Sequence, residues 1–138
     1  MDGRDFLDVA QDDAAGPSSA HWRSAAVNAY YALMLEGRDA LLRWGFPLPP
    51  RQGVHAWVRL KFVYAADADL KVIGDALEDL VKLRNNAHYN LKPLSEFALA
   101  TQALDAIRRS RDALALLDGI EADSTRRAAA IAAVPPLS

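Results

Sequence analysis

The chain has 138 residues, no cysteine and a formal charge of −2, with its lysines and arginines scattered rather than blocked. That length suits one domain with a sizeable core, and the charge pattern carries no compositional nucleic-acid footprint. The lack of cysteine excludes a disulfide framework and thiolate chemistry, and a cytoplasmic location is expected. The N-terminus is acidic and mixed, unlike a signal peptide. No apolar run approaches the roughly 20 residues that span a bilayer, so no membrane association is expected. Alanine and leucine dominate, valine and isoleucine are few, and strand-like alternation is missing, which makes the chain all-α.

In chain order, Asp5 to Ala14 reads as a short first helix with Phe6, Leu7, Val9 and Ala10 on its apolar side, broken by Gly16-Pro17. Ser18 or Ser19 can cap a second helix that runs from His21 to Trp44 and stops at Gly45. Its apolar positions, Trp22, Ala26, Ala29–Tyr30, Leu33–Met34, Leu41 and Trp44, keep helical period. Glu36, Arg38 and Asp39 interrupt its second half. Phe46-Pro-Leu-Pro-Pro50 forms a rigid loop. A third helix is expected from Gly53 to Tyr64, with Val54, Trp57, Val58, Phe62 and the Lys61 stem inward. Ala65 to Asp69 is a link whose aspartates can cap the next helix. A fifth helix is expected from Leu94 to about Leu117, with Phe97, Ala100, Leu104, Ile107, Leu114 and Leu117 inward and Gly119 as its stop. A weak alanine-rich helix covers Glu121 to Ala133. The expectation is an up-and-down antiparallel bundle of about five helices over residues 1–120, with a C-terminal helix and tail over 121–138.

The fourth helix, Leu70 to Asn90, carries the chemistry. Its stripe runs through Leu70, Ile73, Leu77, Leu80 and Ala87, and continuing from Leu80 puts Arg84 and His88 on it, four residues apart. A guanidinium in an apolar seam must be paired, hydrogen-bonded or facing a wet cleft. Arg84 and His88 are therefore expected to share one cleft.

Two segments, AVNAYYALMLEGRDALL (26–42) and LEDLVKLRNNAHYNL (77–91), with His55 of GVHAWV between them, together resemble the HEPN domains (higher eukaryote and prokaryote nucleotide-binding). The likeness is to the small bacterial members paired with a minimal nucleotidyltransferase, and it covers roughly residues 4 to 118. It matches Tyr30 and Tyr31 to the family's tyrosine pair, His55 to its loop histidine, Arg84 to its motif arginine and Tyr89 to its motif tyrosine. Asn28 stands where many relatives carry arginine, and His88 where the closest-looking ones carry aspartate. The resemblance implies a HEPN-like homodimer of toxin–antitoxin or defence type, with a nucleotidyltransferase antitoxin as partner and RNA or a nucleotide as ligand. It also implies a metal-independent endoribonuclease site, with Arg84 and His88 as catalytic residues and Asn85, Tyr89, Tyr31 and His55 as binding residues. No cofactor or metal is expected.

That chemistry is coherent in these residue types. A histidine moves a proton from the ribose 2′-hydroxyl or to the leaving oxygen, and an arginine stabilises charge on the transition-state phosphate. The alternatives are a non-catalytic module that binds a nucleotide or docks the nucleotidyltransferase, and a structural role. In the structural role Arg84 pairs with Glu36 or Asp39 while Tyr30 and Tyr31 serve as packing residues. Ribonuclease members of the family use a longer arginine–histidine interval than the three intervening residues here.

Overall fold

The computed structural model describes residues 2–50, 53–90 and 97–136. Among them are six helices and no strand: α1 Gly3–Ala14, α2 Ser19–Arg43, α3 Val54–Val63, α4 Ala68–Tyr89, α5 Thr101–Glu121 and α6 Ser124–Ala133. No helix among these residues is long and apolar enough to cross a membrane.

Local chemistry accounts for most of the boundaries. Asp2 and Asp5 close a capping box over the first turn of α1. Ser18 caps α2 through the His21 N–H, and Gly45, at φ 95°, takes the left-handed turn after its end, where a side chain would be strained. Asp67 accepts from Leu70 N at 3.0 Å and starts α4, two residues earlier than the stripe alone suggested.

The helix α5 departs from expectation at both ends. It begins at Thr101 rather than Leu94, because Phe97 anchors the preceding turn in a small apolar cluster with Ala26 and Ala87. It also passes through Gly119 to Glu121. The expected inward Leu104 is exposed, since the buried face steps through Ala103, Ala106, Ile107, Ser110, Ala113, Leu114, Leu117 and Ile120. Alanines on that face let α5 lie close against α2. The expected start over residues 94–96 lies outside the described residues.

The central rod is α2, packed by α1, α3, α4 and α5. It runs antiparallel to α4: Arg23 near its start meets the carbonyls of Asn86, Ala87 and Asn90 at the end of α4. Ala25, Ala29, Tyr30, Leu33 and Leu41 of α2 join Ile73, Leu77, Leu80, Ile107, Leu114 and Leu117 in one core. Close crossings rest on glycine. A Cβ on Gly74 would lie 2.6 Å from the backbone N of Val63, so α3 and α4 touch main chain to main chain there.

The division expected after residue 120 falls at the end of α5, and α6 is not separate from the bundle. Ala130 and Val134 belong to the main core. Arg126 holds Asp67 with two hydrogen bonds and Asp69 with a third, and Ala66 N donates to Ala133 O at 2.9 Å. Lys61 is buried to its tip. Its Nζ donates to Pro135 O at 2.5 Å and lies 5.2 Å from the centre of the Phe46 ring, and burial lowers its pKa. Trp57 is core, while Trp22 is half-buried and donates from Nε1 to Gly16 O.

Candidate functional site

Three helices meet around Arg84. The 4–3–4–3 stepping of the buried face of α4 (Ile73, Leu77, Leu80, Arg84, Ala87) brings the Arg84 stem against α2, opposite Tyr30 and Tyr31. Arg84 Nη2 donates to the Tyr31 hydroxyl at 2.9 Å and Nη1 to Asn85 Oδ1 at 3.0 Å. The guanidinium carbon lies 5.6 Å from the Tyr31 ring centre, 5.9 Å from that of Tyr30 and 5.5 Å from that of Tyr89. These distances are within cation–π range of three faces.

His55, in the first turn of α3, closes the other side. Its Nδ1 is 2.7 Å from the Tyr30 hydroxyl, and its ring centre is 5.7 Å from those of both Tyr30 and Tyr31. Phe6 of α1 backs Tyr31 at 6.0 Å. One turn beyond His55, Arg59 pairs with Glu78 at 3.0 Å.

The electrostatics of this nest are one-sided. Among the described residues Arg84 has no carboxylate partner. The expected structural pairings do not form: Glu36 faces Arg4 at 3.7 Å, and Asp39 pairs with its neighbour Arg38 at 2.9 Å. Burial works to lower the Arg84 pKa, but the hydrogen bond to Tyr31 and the surrounding phenols outweigh it, so the group stays charged. Burial, then Arg84 and Arg59, pushes His55 down and keeps its ring neutral. Burial pushes Tyr30 up to about 12, so its phenol keeps its proton. A guanidinium carries five N–H donors, and Arg84 spends two. Its Nε is buried with no partner. A charge kept for structure alone is ordinarily neutralised and fully bonded. This half-buried one is held in place with no carboxylate beside it among the described residues.

Comparisons of the chain with protein-family models, with curated proteins and with solved structures find no match.

Of the six residues the sequence singled out, Tyr31, Asn85 and Tyr89 contact Arg84, and His55 lies against Tyr30 and Tyr31. The buried face of α4 steps three residues from Arg84 to Ala87, and His88, the next residue, is exposed. His88 and Arg84 both lie against the Tyr89 ring, at 5.0 and 5.5 Å from its centre. His88 also edges a shallow depression of about 300 Å³ with Arg23, Ser24, Val27 and Ala87. Asn28, the family departure, ties α1 to α2: with Ser24 it binds Asp13.

Three contributors were missed by sequence reasoning. Tyr30, read as packing, orients His55. Arg59 is readable in retrospect as the i+4 neighbour of His55. Arg23 has no sequence signal. It crosses from α2 to satisfy three carbonyls at the end of α4, with its guanidinium 4.8 Å from the centre of the Phe97 ring, and so fixes the turn that carries Tyr89. No group of three or more metal-ligating side chains occurs among the described residues. The groove between α4 and α5 is crossed by the Arg109–Asp79 pair, and Arg108 and Arg109 are further paired with Asp105; Lys82 and Asp75 also line it.

Proposed function

We propose that this protein is a HEPN-like helical module of toxin–antitoxin or defence type whose Arg84 nest binds the phosphate group of a nucleotide or RNA. The observation that carries the reading is the Arg84 guanidinium, fixed by Tyr31 and Asn85, walled by three phenols and lacking any carboxylate among the described residues. Support also comes from convergence: residues from α2, α3 and α4, dispersed over 60 positions of sequence, surround one cation. Arginine suits a phosphate because its planar fork matches two oxygens at once. Tyr31 accepts from Arg84 and so keeps its own O–H to donate, and Tyr89, 68% exposed, offers a ring face on which a base can stack.

A second reading, metal-independent RNA cleavage, draws on His88. It lies exposed one turn past Arg84 at the end of the same helix, where a second copy of the chain in a homodimer could set its own Arg84 opposite. A nucleotidyltransferase antitoxin would then act on, or cover, this end of the bundle.

One set of proteins tests both readings: wild type, Arg84→Ala and His88→Ala, each incubated with labelled RNA and with a 5′-mononucleotide. Binding that Arg84→Ala abolishes and His88→Ala leaves intact, without cleavage, supports the module. Cleavage lost in both variants supports the nuclease. Wild type that neither binds nor cuts removes both.

A further inference from the structure

Burial first, and then the charges of Arg84 and Arg59, hold His55 neutral, and an occupant of the Arg84 nest would offset the Arg84 charge. Among the described residues, the titratable and charged groups that bear on the ring are Tyr30 and Tyr31 on α2, Arg59 on its own helix, and Arg84 on α4 with Tyr89 beyond it. Arg59 is paired with Glu78, and Phe6 of α1 lies behind Tyr31. No carboxylate among the described residues bonds His55. Arg84 and His55 lie against the same two rings, the guanidinium 5.9 and 5.6 Å and the imidazole 5.7 Å from the centres of Tyr30 and Tyr31. The Arg84 charge acts on the imidazole across them, so an anion that offsets that charge acts on it too.

We propose that His55 sets the charge selectivity of the Arg84 nest: it takes up a proton when a dianion is bound, so the nest selects a terminal phosphate, as in a phosphomonoester, over the monoanionic phosphodiester of a continuous strand. This rests on the anion-binding reading above and extends it. The proton comes from solvent, which the half-buried ring can reach. The ring need not move. The Tyr30 hydroxyl, which keeps its own proton, donates to Nδ1 of the neutral ring or accepts from Nδ1–H of the imidazolium at the same 2.7 Å. In the imidazolium Nε2–H, without a partner among the described residues, is a second charged donor for the anion. Two cations then face two negative charges. With a monoanion the second charge is missing, and repulsion between imidazolium and guanidinium keeps His55 neutral.

Binding and protonation are reciprocal, so affinity for a dianion must rise as pH falls, by up to about tenfold per pH unit while His55 is being protonated. Sulfate is the suitable probe, because its own charge is constant across this range, with a dinucleoside phosphodiester as the monoanionic control. Calorimetric titration of the full chain in buffers of different ionisation enthalpy measures proton uptake directly, with no substitution needed. We expect sulfate binding that tightens from about pH 8 to about pH 5 with net uptake of a proton, and diester binding that is weaker and nearly flat. His55→Gln, which keeps a donor but cannot titrate, should flatten the sulfate profile. Sulfate binding that Arg84→Ala abolishes but that is flat with pH and takes up no proton would overturn the role of His55 and leave the anion site standing. Failure of wild type to bind sulfate, phosphate or mononucleotide at any pH would overturn both.

Discussion

Arg84 Nη2 donates to the Tyr31 hydroxyl at 2.9 Å, joining a cation on α4 to the centre of α2 across 53 positions of sequence. Tyr31→Phe deletes the acceptor and leaves the Nη2 it served without that bond, beside the unpartnered Nε. The loss of a hydrogen bond to a half-buried charge costs about 1.5 kcal/mol or more, so chemical denaturation should show that drop with an unchanged denaturant slope. A stability equal to wild type would mean that Arg84 finds another partner and that Tyr31 does not position it.

The glycines of the core make a paired prediction. Alanine is the better helix former by about 1 kcal/mol, so both Gly37→Ala and Gly74→Ala begin with the same gain. At Gly37 the new methyl meets the Phe62 ring at 3.1 Å and a Val58 methyl at 3.3 Å, side chains that can shift by tenths of an ångström, and the net effect should be near zero. At Gly74 it meets main chain, Val63 N at 2.6 Å and Phe62 C at 2.8 Å, and α3 must be pushed off α4. Overpacking of that kind costs about 2 kcal/mol net. Melting curves that rank the two variants the other way would contradict the backbone crossing described.

Acid should loosen α6 first. The hydrogen bond from Arg126 is the main cause that lowers the Asp67 pKa, with the Leu70 and Asp69 backbone N–H groups adding to it against the cost of burial.

 The folded-state pKa lies below the unfolded one, so this contribution to stability is present above about pH 4 and is lost as pH falls through the folded value. Amide protection, measured relative to the intrinsic exchange rate at each pH, should fall across α6 and the start of α4 on acidification before the rest of the bundle opens, and Asp67→Asn should remove that pH dependence. Protection in α6 that does not respond to acid in wild type would contradict the linkage.

How much of this was legible in the sequence depends on which physical signal each feature uses. The helices α2 and α4, their Ser18 and Asp67 caps and the Gly45 stop follow from periodicity and capping chemistry, which act locally. The start of α5 was misplaced because Phe97 fits a helical stripe and a turn anchor equally well, and only its burial against Ala26 and Ala87 distinguishes the two. At the site, a four-residue step from Arg84 led to His88, where the buried face takes a three-residue step to Ala87. Both steps are helical, and the choice between them is made by tertiary packing. The hydrogen bond between Tyr30 and His55, and the reach of Arg23 to the end of α4, depend on how helices dock and leave no mark in either local sequence.

The most direct measurement of the central claim is a nuclear magnetic resonance titration of the labelled full chain with a 5′-mononucleotide, alongside Arg84→Ala. The account predicts saturable shifts concentrated at Tyr30, Tyr31, His55, Arg84, Asn85 and Tyr89, and an affinity at least about tenfold weaker in a variant whose spectrum remains that of a folded bundle. Shifts centred elsewhere, such as the Asp79–Arg109 groove, or an Arg84→Ala protein that binds as tightly as wild type, would contradict it.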